Sequence, residues 1–224
     1  MKLLAIDTVT EACSAALLVD GEIQQRFTIE PRRHTELILP MIDELLGEAG
    51  LSLSQLDALA VDRGPGSFTG VRIGVGVVQG LAFAADLPVY PVSSLAALAL
   101  AASQEITADT MLAMLDARMD EIYWGVYRLE HGLLKSVMDE QVGKPDSLPL
   151  LSGNILCTGS GARLHEASLA GQKNYHFIQD CRFDFPHASF VAQLAIQCKQ
   201  EQAVTAAELQ PVYLRNLVAT PCKP

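Results

Sequence analysis

Two aspartates close apolar runs of similar length, Lys2-Leu-Leu-Ala-Ile-Asp7 and Leu112-Ala-Met-Leu-Asp116. A carboxylate at the end of a strand is placed to face a metal-bound nucleotide outside the sheet. The same residue type serves equally well as a turn residue bonding its own backbone amides, and the sequence leaves both readings open. Gly64-Pro-Gly-Ser-Phe-Thr-Gly70 leads into an apolar segment, as phosphate-binding loops do. A P-loop needs Lys-Ser/Thr after its last glycine, and here Val71-Arg72 follows. A nucleophile elbow needs serine at the centre of Gly-x-Ser-x-Gly, whereas Phe68 stands there. Ser67 and Thr69 read better as helix N-caps. Gly74 and Gly76 fall inside the helix, not before it, so they form no dinucleotide fingerprint. Gly70, Gly74 and Gly80 suit close approach of another backbone. His34 has no histidine within ligand spacing, and no metal site is assigned. Arg118, Asp120 and Glu121 read as ion-pairing residues of an exposed loop.

The elements that position these residues repeat. Residues 2–7, 13–19 and 23–29 form a predicted three-strand meander with a turn at Asp20-Gly21. Residues 112–116, 122–127 and 133–134 reproduce it, with the turn at His131-Gly132. One internal duplication accounts for both, at a period far too long for a solenoid. Between the meanders, Leu37, Ile38, Met41, Ile42, Leu45 and Leu46 recur at helical spacing over 35–49, where Pro40 should kink the helix. A strand is predicted over 56–61, a helix over 71–85 and a strand over 88–92. Ser93 or Ser94 then caps an alanine-rich helix. Further on the reading gives a loop over 143–153, a strand over 155–158, a turn at Gly159-Ser-Gly161 into a helix, and a helix over 189–201. Strands alternating with helices make this an α/β chain. The polar stretch 103–109 separates a unit 1–104 from a unit 105–224, with the C-terminal segment of the second free to pack back on the first.

Composition narrows the classes. The 16 basic and 26 acidic side chains give a net charge of −10, which repels phosphate backbones, so any link to nucleic acid runs through a partner. The five cysteines are scattered, odd in number and free of Cys-x-x-Cys spacing, which suggests neither a disulfide framework nor a zinc cluster. The apolar start is too short for a signal-peptide core. The least polar stretch, 73–85, falls short of a membrane span and reads as a buried helix. A cytoplasmic protein is expected.

Four segments in order carry a family resemblance along most of the chain: Leu4-Ala-Ile-Asp-Thr8, Arg63-Gly-Pro-Gly-Ser-Phe-Thr-Gly-Val-Arg72, Leu115-Asp-Ala-Arg-Met119 with Glu121-Ile-Tyr123, and Pro211-Val-Tyr-Leu-Arg215. They resemble the TsaB (YeaZ) family; 132–186 matches it only loosely. The resemblance implies two related actin-like domains of the sugar-kinase and Hsp70 kind, each a mixed sheet with helices, the C-terminal one smaller and degenerate. It implies a non-catalytic scaffold that activates TsaD, with TsaE, in threonylcarbamoyl transfer to the adenosine beside the anticodon of tRNAs reading ANN codons. The partners are then TsaD, TsaE and a second copy, with tRNA met only indirectly. In TsaD, a paralogue, a His-His-Met-Glu-Gly-His signature after the Pro-x-x-Pro-Val strand holds the metal. Here Ser94 and Leu98 stand at the ligating positions. The implied docking surface comprises His34, Leu37, Ile38, Met41, Leu45, Gly70, Val71, Gly74 and Val78. Asp7, Asp116, Gly159 and Gly161 mark a vestigial nucleotide site, with no resident cofactor and ATP or ADP only at an interface shared with partners. The competing reading is an enzyme of the same superfamily, a nucleotide hydrolase using Asp7 and Asp116 or a peptidase.

Overall fold

The first apolar runs become central strands because both their faces are covered. A computed structural model describes residues 1–215. In it β1 (Lys2–Asp7) and β2 (Ala12–Val19) are buried almost throughout, as expected of strands with helices on either side. The edge strand β3 (Glu22–Ile29) carries the polar residues. Helix α1 (His34–Ala49) follows, and its last turn ends on Gly50 in the left-handed conformation. The helical assignment runs unbroken through Pro40. Strand β4 (Ala58–Asp62), helix α2 (Phe68–Ala85) and strand β5 (Val89–Val92) complete a sheet ordered β3-β2-β1-β4-β5. Its first three strands are antiparallel and β1, β4 and β5 parallel. Ser67 caps α2 by accepting from the amide of Gly70, whereas Thr69, read as a second cap, lies inside the helix.

Helix α3 (Ser94–Glu105) is capped by Ser93 and carries the chain to a second sheet. Here β6 (Thr110–Arg118), β7 (Glu121–Glu130) and β8 (Leu133–Ser136) are antiparallel, while β10 (Ile155–Thr158) and β11 (Tyr175–Phe177) run parallel to β6. The order β8-β7-β6-β10-β11 repeats that of the first sheet element for element. Helix α4 (Ser160–Leu169), between β10 and β11, occupies the place of α2. Where the first half has α1, the second has only the short β9 (Gln141–Gly143), paired with β7, and a single 3₁₀ turn.

After β11 the chain leaves the second unit. Helix α5 (Ala188–Ala195) packs its buried face, Ala188, Val191, Ala192 and Ala195, beneath the first sheet against Leu3, Ala5 and Ala16. Val204 then bridges Val89, and Leu209 joins the core under α1 and α2. The end of the 105–224 unit thus packs back on the first unit, whose sheet needs α5 to cover its inner face. The predicted final helix stops at Ala195 instead of residue 201. Four of the cysteines, Cys13, Cys157, Cys181 and Cys198, are free thiols; Cys222 lies outside the described residues.

Candidate functional site

Asp7 and Asp62 end the neighbouring parallel strands β1 and β4, one step beyond the paired Ile6 and Val61. Their side chains are buried, at 0% and 1% exposure. Each turns one oxygen back on its own loop: Asp7 Oδ1 accepts from Val9 N–H at 3.0 Å and Asp62 Oδ1 from Gly64 N–H at 2.9 Å. Asp62 Oδ1 also accepts from the Ser94 hydroxyl at 2.6 Å. Burial raises both carboxyls, Asp62 to about 7 and Asp7 well above the ordinary carboxylate value, with the charge of Asp62 adding to the effect on Asp7.

The 64–70 loop seals this corner, and its glycines are there for contact. A Cβ on Gly66 would lie 2.4 Å from the carbonyl oxygen of Val9, and one on Gly70 only 2.2 Å from that of Thr8. The Thr8 hydroxyl in turn donates to Gly70 O at 2.7 Å. Backbone packed this tightly leaves Asp7 no path to a ligand. Asp7 is fully buried behind this loop. Ser94, which also donates to Pro65 O, is an internal tie, and Leu98 is fully buried in the cluster between α3 and the second sheet.

Between the two sheets lies a cleft of about 860 Å³. Of the four expected nucleotide residues only Asp116 reaches it, and its carboxylate is engaged by the backbone amide and guanidinium of Arg118, which also grips Glu11 across the cleft at 2.5 Å. Gly159 and Gly161 pack instead on the end of β6. A Cβ on Gly159 would sit 2.1 Å from Met114 O, and one on Gly161 2.9 Å from Leu115 C. The four expected residues therefore do not converge on the cleft. The cleft rim carries a group that sequence reasoning missed: Arg72 lies 3.8 Å over the Phe68 ring and donates to Tyr213, while Arg215 reaches Glu121 and Ala117 O from the returning segment. Asp62 was missed too, although Leu59-Ala-Val-Asp62 shows the same apolar-run-to-aspartate signal as Asp7.

The expected docking residues lie mostly on the inward faces of α1 and α2. Ile38, Leu45, Val71 and Val78 are core residues, and Gly70 and Gly74 are pressed against Thr8. His34 is buried, its Nε2 directed at the carbonyls of Thr10 at 2.9 Å and Ala12 at 3.2 Å, so it clamps the loop after β1. Leu37 and Met41 pack partly on the core. The outward faces of the two helices carry other apolar residues. There, Leu39 on α1 is 48% exposed and Phe83 on α2 is 85% exposed. Replacing Leu45 by Ala is accordingly expected to cost about 2–5 kcal/mol of stability by leaving a cavity. Denaturant titration reads that loss, and partner binding by the remaining folded protein should stay at its wild-type level.

Duplicated sheets of one order, facing each other across a cleft, define a two-domain α/β protein of the actin-like, sugar-kinase-like class. The family model described as TsaD, tRNA N6-adenosine threonylcarbamoyltransferase, matches residues 27–220. The chain is 43% identical to the Escherichia coli tRNA threonylcarbamoyladenosine biosynthesis protein TsaB over 98% of its own length and 96% of that protein, and 42% identical to the Haemophilus influenzae TsaB over 97% and 95%. Among solved structures, YeaZ from Pseudomonas aeruginosa superposes with a TM-score of 0.84 at 41% identity, covering 95% of this chain and 99% of that one. The chain belongs to the TsaB family, also called YeaZ.

Proposed function

We propose that this chain is a non-catalytic scaffold and activator in tRNA threonylcarbamoyladenosine biosynthesis. It binds TsaD, with TsaE, and supports threonylcarbamoyl transfer to the adenosine beside the anticodon. The observation that carries this reading is the outer face of α2. Gly76 and Gly80 stand one turn apart with open space before them, Phe83 projects beyond, and Ile73, Val77 and Leu81 flank them half-exposed. Glycines looking outward let a partner helix come close to the backbone, and the aromatic ring provides an anchor. Contiguous apolar surface of this kind marks an interaction site. On α1, Leu39 and Pro40 are exposed as well.

Two features support a supporting role over chemistry. The strand-end carboxylates are either sealed, as Asp7 and Asp62 are, or engaged by arginine, as Asp116 is. Residues at the metal-ligating positions of the paralogue have become an internal hydroxyl, Ser94, and a core leucine, Leu98. In this reading the protein is cytoplasmic, holds no resident cofactor, meets tRNA only through its partners because of its acidity, and pairs with a second copy through the same helices.

Reconstitution tests it. Adding the purified chain to TsaD, TsaE and an activated threonylcarbamoyl donor should raise threonylcarbamoyl transfer to tRNA well above the rate without it, and Asp116→Ala should do so equally well. A tenfold or greater loss of transfer with assembly intact would assign catalysis to this chain and overturn the proposal.

A further inference from the structure

The Asp7 and Asp62 carboxyls each have one oxygen that the fold leaves unused. Both Oδ2 atoms are buried and without a hydrogen-bond partner, while both Oδ1 atoms are satisfied. Neighbouring parallel strands lie about 4.8 Å apart. Asp7 and Asp62 follow the paired Ile6 and Val61, residues in register point to the same face, and the charge of Asp62 acts on Asp7, which places the two carboxyls side by side. Two ionised carboxylates in such a place would repel each other with no water to screen them, and a lone buried charge is itself costly.

We propose that Asp7 and Asp62 hold a proton between their Oδ2 atoms, and that this acid pair makes the seating of the 64–70 loop, and through it the root of α2, dependent on pH. The Oδ2–H of one aspartic acid donates to Oδ2 of the other, which removes one charge and satisfies both orphaned oxygens. Loss of that proton leaves two anions in contact. The cheapest relief is to lift the 64–70 loop, which lies on Thr8 and Val9 and is tied to the pair by the Gly64 amide and the Ser94 hydroxyl.

The other groups facing the pair do not supply the missing positive charge. Cys13, from β2, is a buried thiol pushed up to about 12 by burial and by the charge of Asp7, so it stays neutral. Glu140, packed against α3 through Ser93 and joined to Tyr127 at 2.6 Å, adds negative potential to Asp62. Arg63 is the cation acting on Asp62, but it acts more weakly than burial does.

The sign of the pH dependence follows. Unfolded aspartate titrates near about 3.9, and the folded pair titrates higher, so between those values the folded state binds more protons than the unfolded one. Stability from the pair is fully present below about pH 4; it falls as Asp62 ionises through about 7, where one proton stays on the pair, and it falls further as pH rises through the value of Asp7, which lies well above the ordinary carboxylate range. Thermal unfolding of wild type and Asp62→Asn should therefore diverge with pH, because the Asn amide keeps the Oδ1 bonds and supplies a permanent N–H toward Asp7. Relative to wild type, the melting temperature of Asp62→Asn should rise between pH 5 and pH 8, and the protection factors of the 64–70 amides, with the base-catalysed intrinsic rate divided out, should fall with rising pH in wild type only.

A measurement free of folding losses accompanies this. The side-chain carboxyl carbon-13 shifts of Asp7 and Asp62 in the wild-type protein should report at least one protonated group at pH 7. Two ionised carboxylates at pH 7, or a stability difference between the two proteins that is flat from pH 5 to pH 8, would overturn the proposal. Neither readout involves TsaD, so the outcome is independent of the scaffold reading.

Discussion

Phe83→Glu is expected to abolish recovery of TsaD with the chain while leaving the melting temperature within error of wild type. Phe83 is 85% exposed, so the folded chain alone gains almost nothing from its ring. Surface substitutions away from special features usually change stability by less than about 0.5 kcal/mol. At an interface the balance reverses: an aromatic anchor at the centre of a docking face contributes about 2–4 kcal/mol, and a carboxylate buried there without a partner adds a desolvation cost. Binding should weaken by a factor of about a hundred or more, since each 1.4 kcal/mol is tenfold. Calorimetric titration of TsaD, with circular dichroism melts of the variant, measures both sides. Unchanged affinity would remove the outer face of α2 from the interface. A charge at Met41 would answer less clearly, because that side chain packs partly on the core and its substitution would mix unfolding with undocking.

The sequence exposed the meanders, the long helices and the duplication for one physical reason: strands covered on both faces and helices covered on one leave apolar patterns longer than chance produces. Boundaries were less clear. The β6 and β7 strands extend beyond the residues read as strand, because backbone pairing continues past the apolar run at each end. Strands β9 and β11 are three residues each, too short to show any period, and neither is legible as strand in the sequence. Which face of α1 and α2 is inward could not be read from an apolar stripe, because α2 is apolar nearly all round and its glycines serve opposite ends. Gly70 and Gly74 press on Thr8, whereas Gly76 and Gly80 face open space. The return of α5 to the first sheet is a long-range event, fixed by Ala188 N–H donating to Ser14 Oγ at 3.0 Å and by the stacking of His187 on Phe27. No local pattern around residue 188 announces such partners.

The largest effect on the folded chain is expected from Gly159→Ala. Gly159 has φ of +98°, a backbone conformation that side chains of L-residues rarely adopt, and it lies where β10 turns into α4. An added methyl would stand 2.1 Å from the carbonyl oxygen of Met114 and 3.0 Å from Leu98 Cδ1. The first contact is with backbone in the central strand β6 and cannot rotate away. Either the turn must re-form or the α4 end of the second sheet must separate, and each exceeds the roughly 1–3 kcal/mol of a single strained residue. A loss of about 3–5 kcal/mol follows, which at about 2–4 °C per kcal/mol for a chain of this size lowers the melting temperature by roughly 6–20 °C. The result also separates two roles for this glycine. If Gly159 kept the backbone open for a phosphate, the substituted chain would melt like wild type and lose only nucleotide affinity. Because the space before it is filled by Met114 and Leu98, the loss should appear in the free protein, with no nucleotide added.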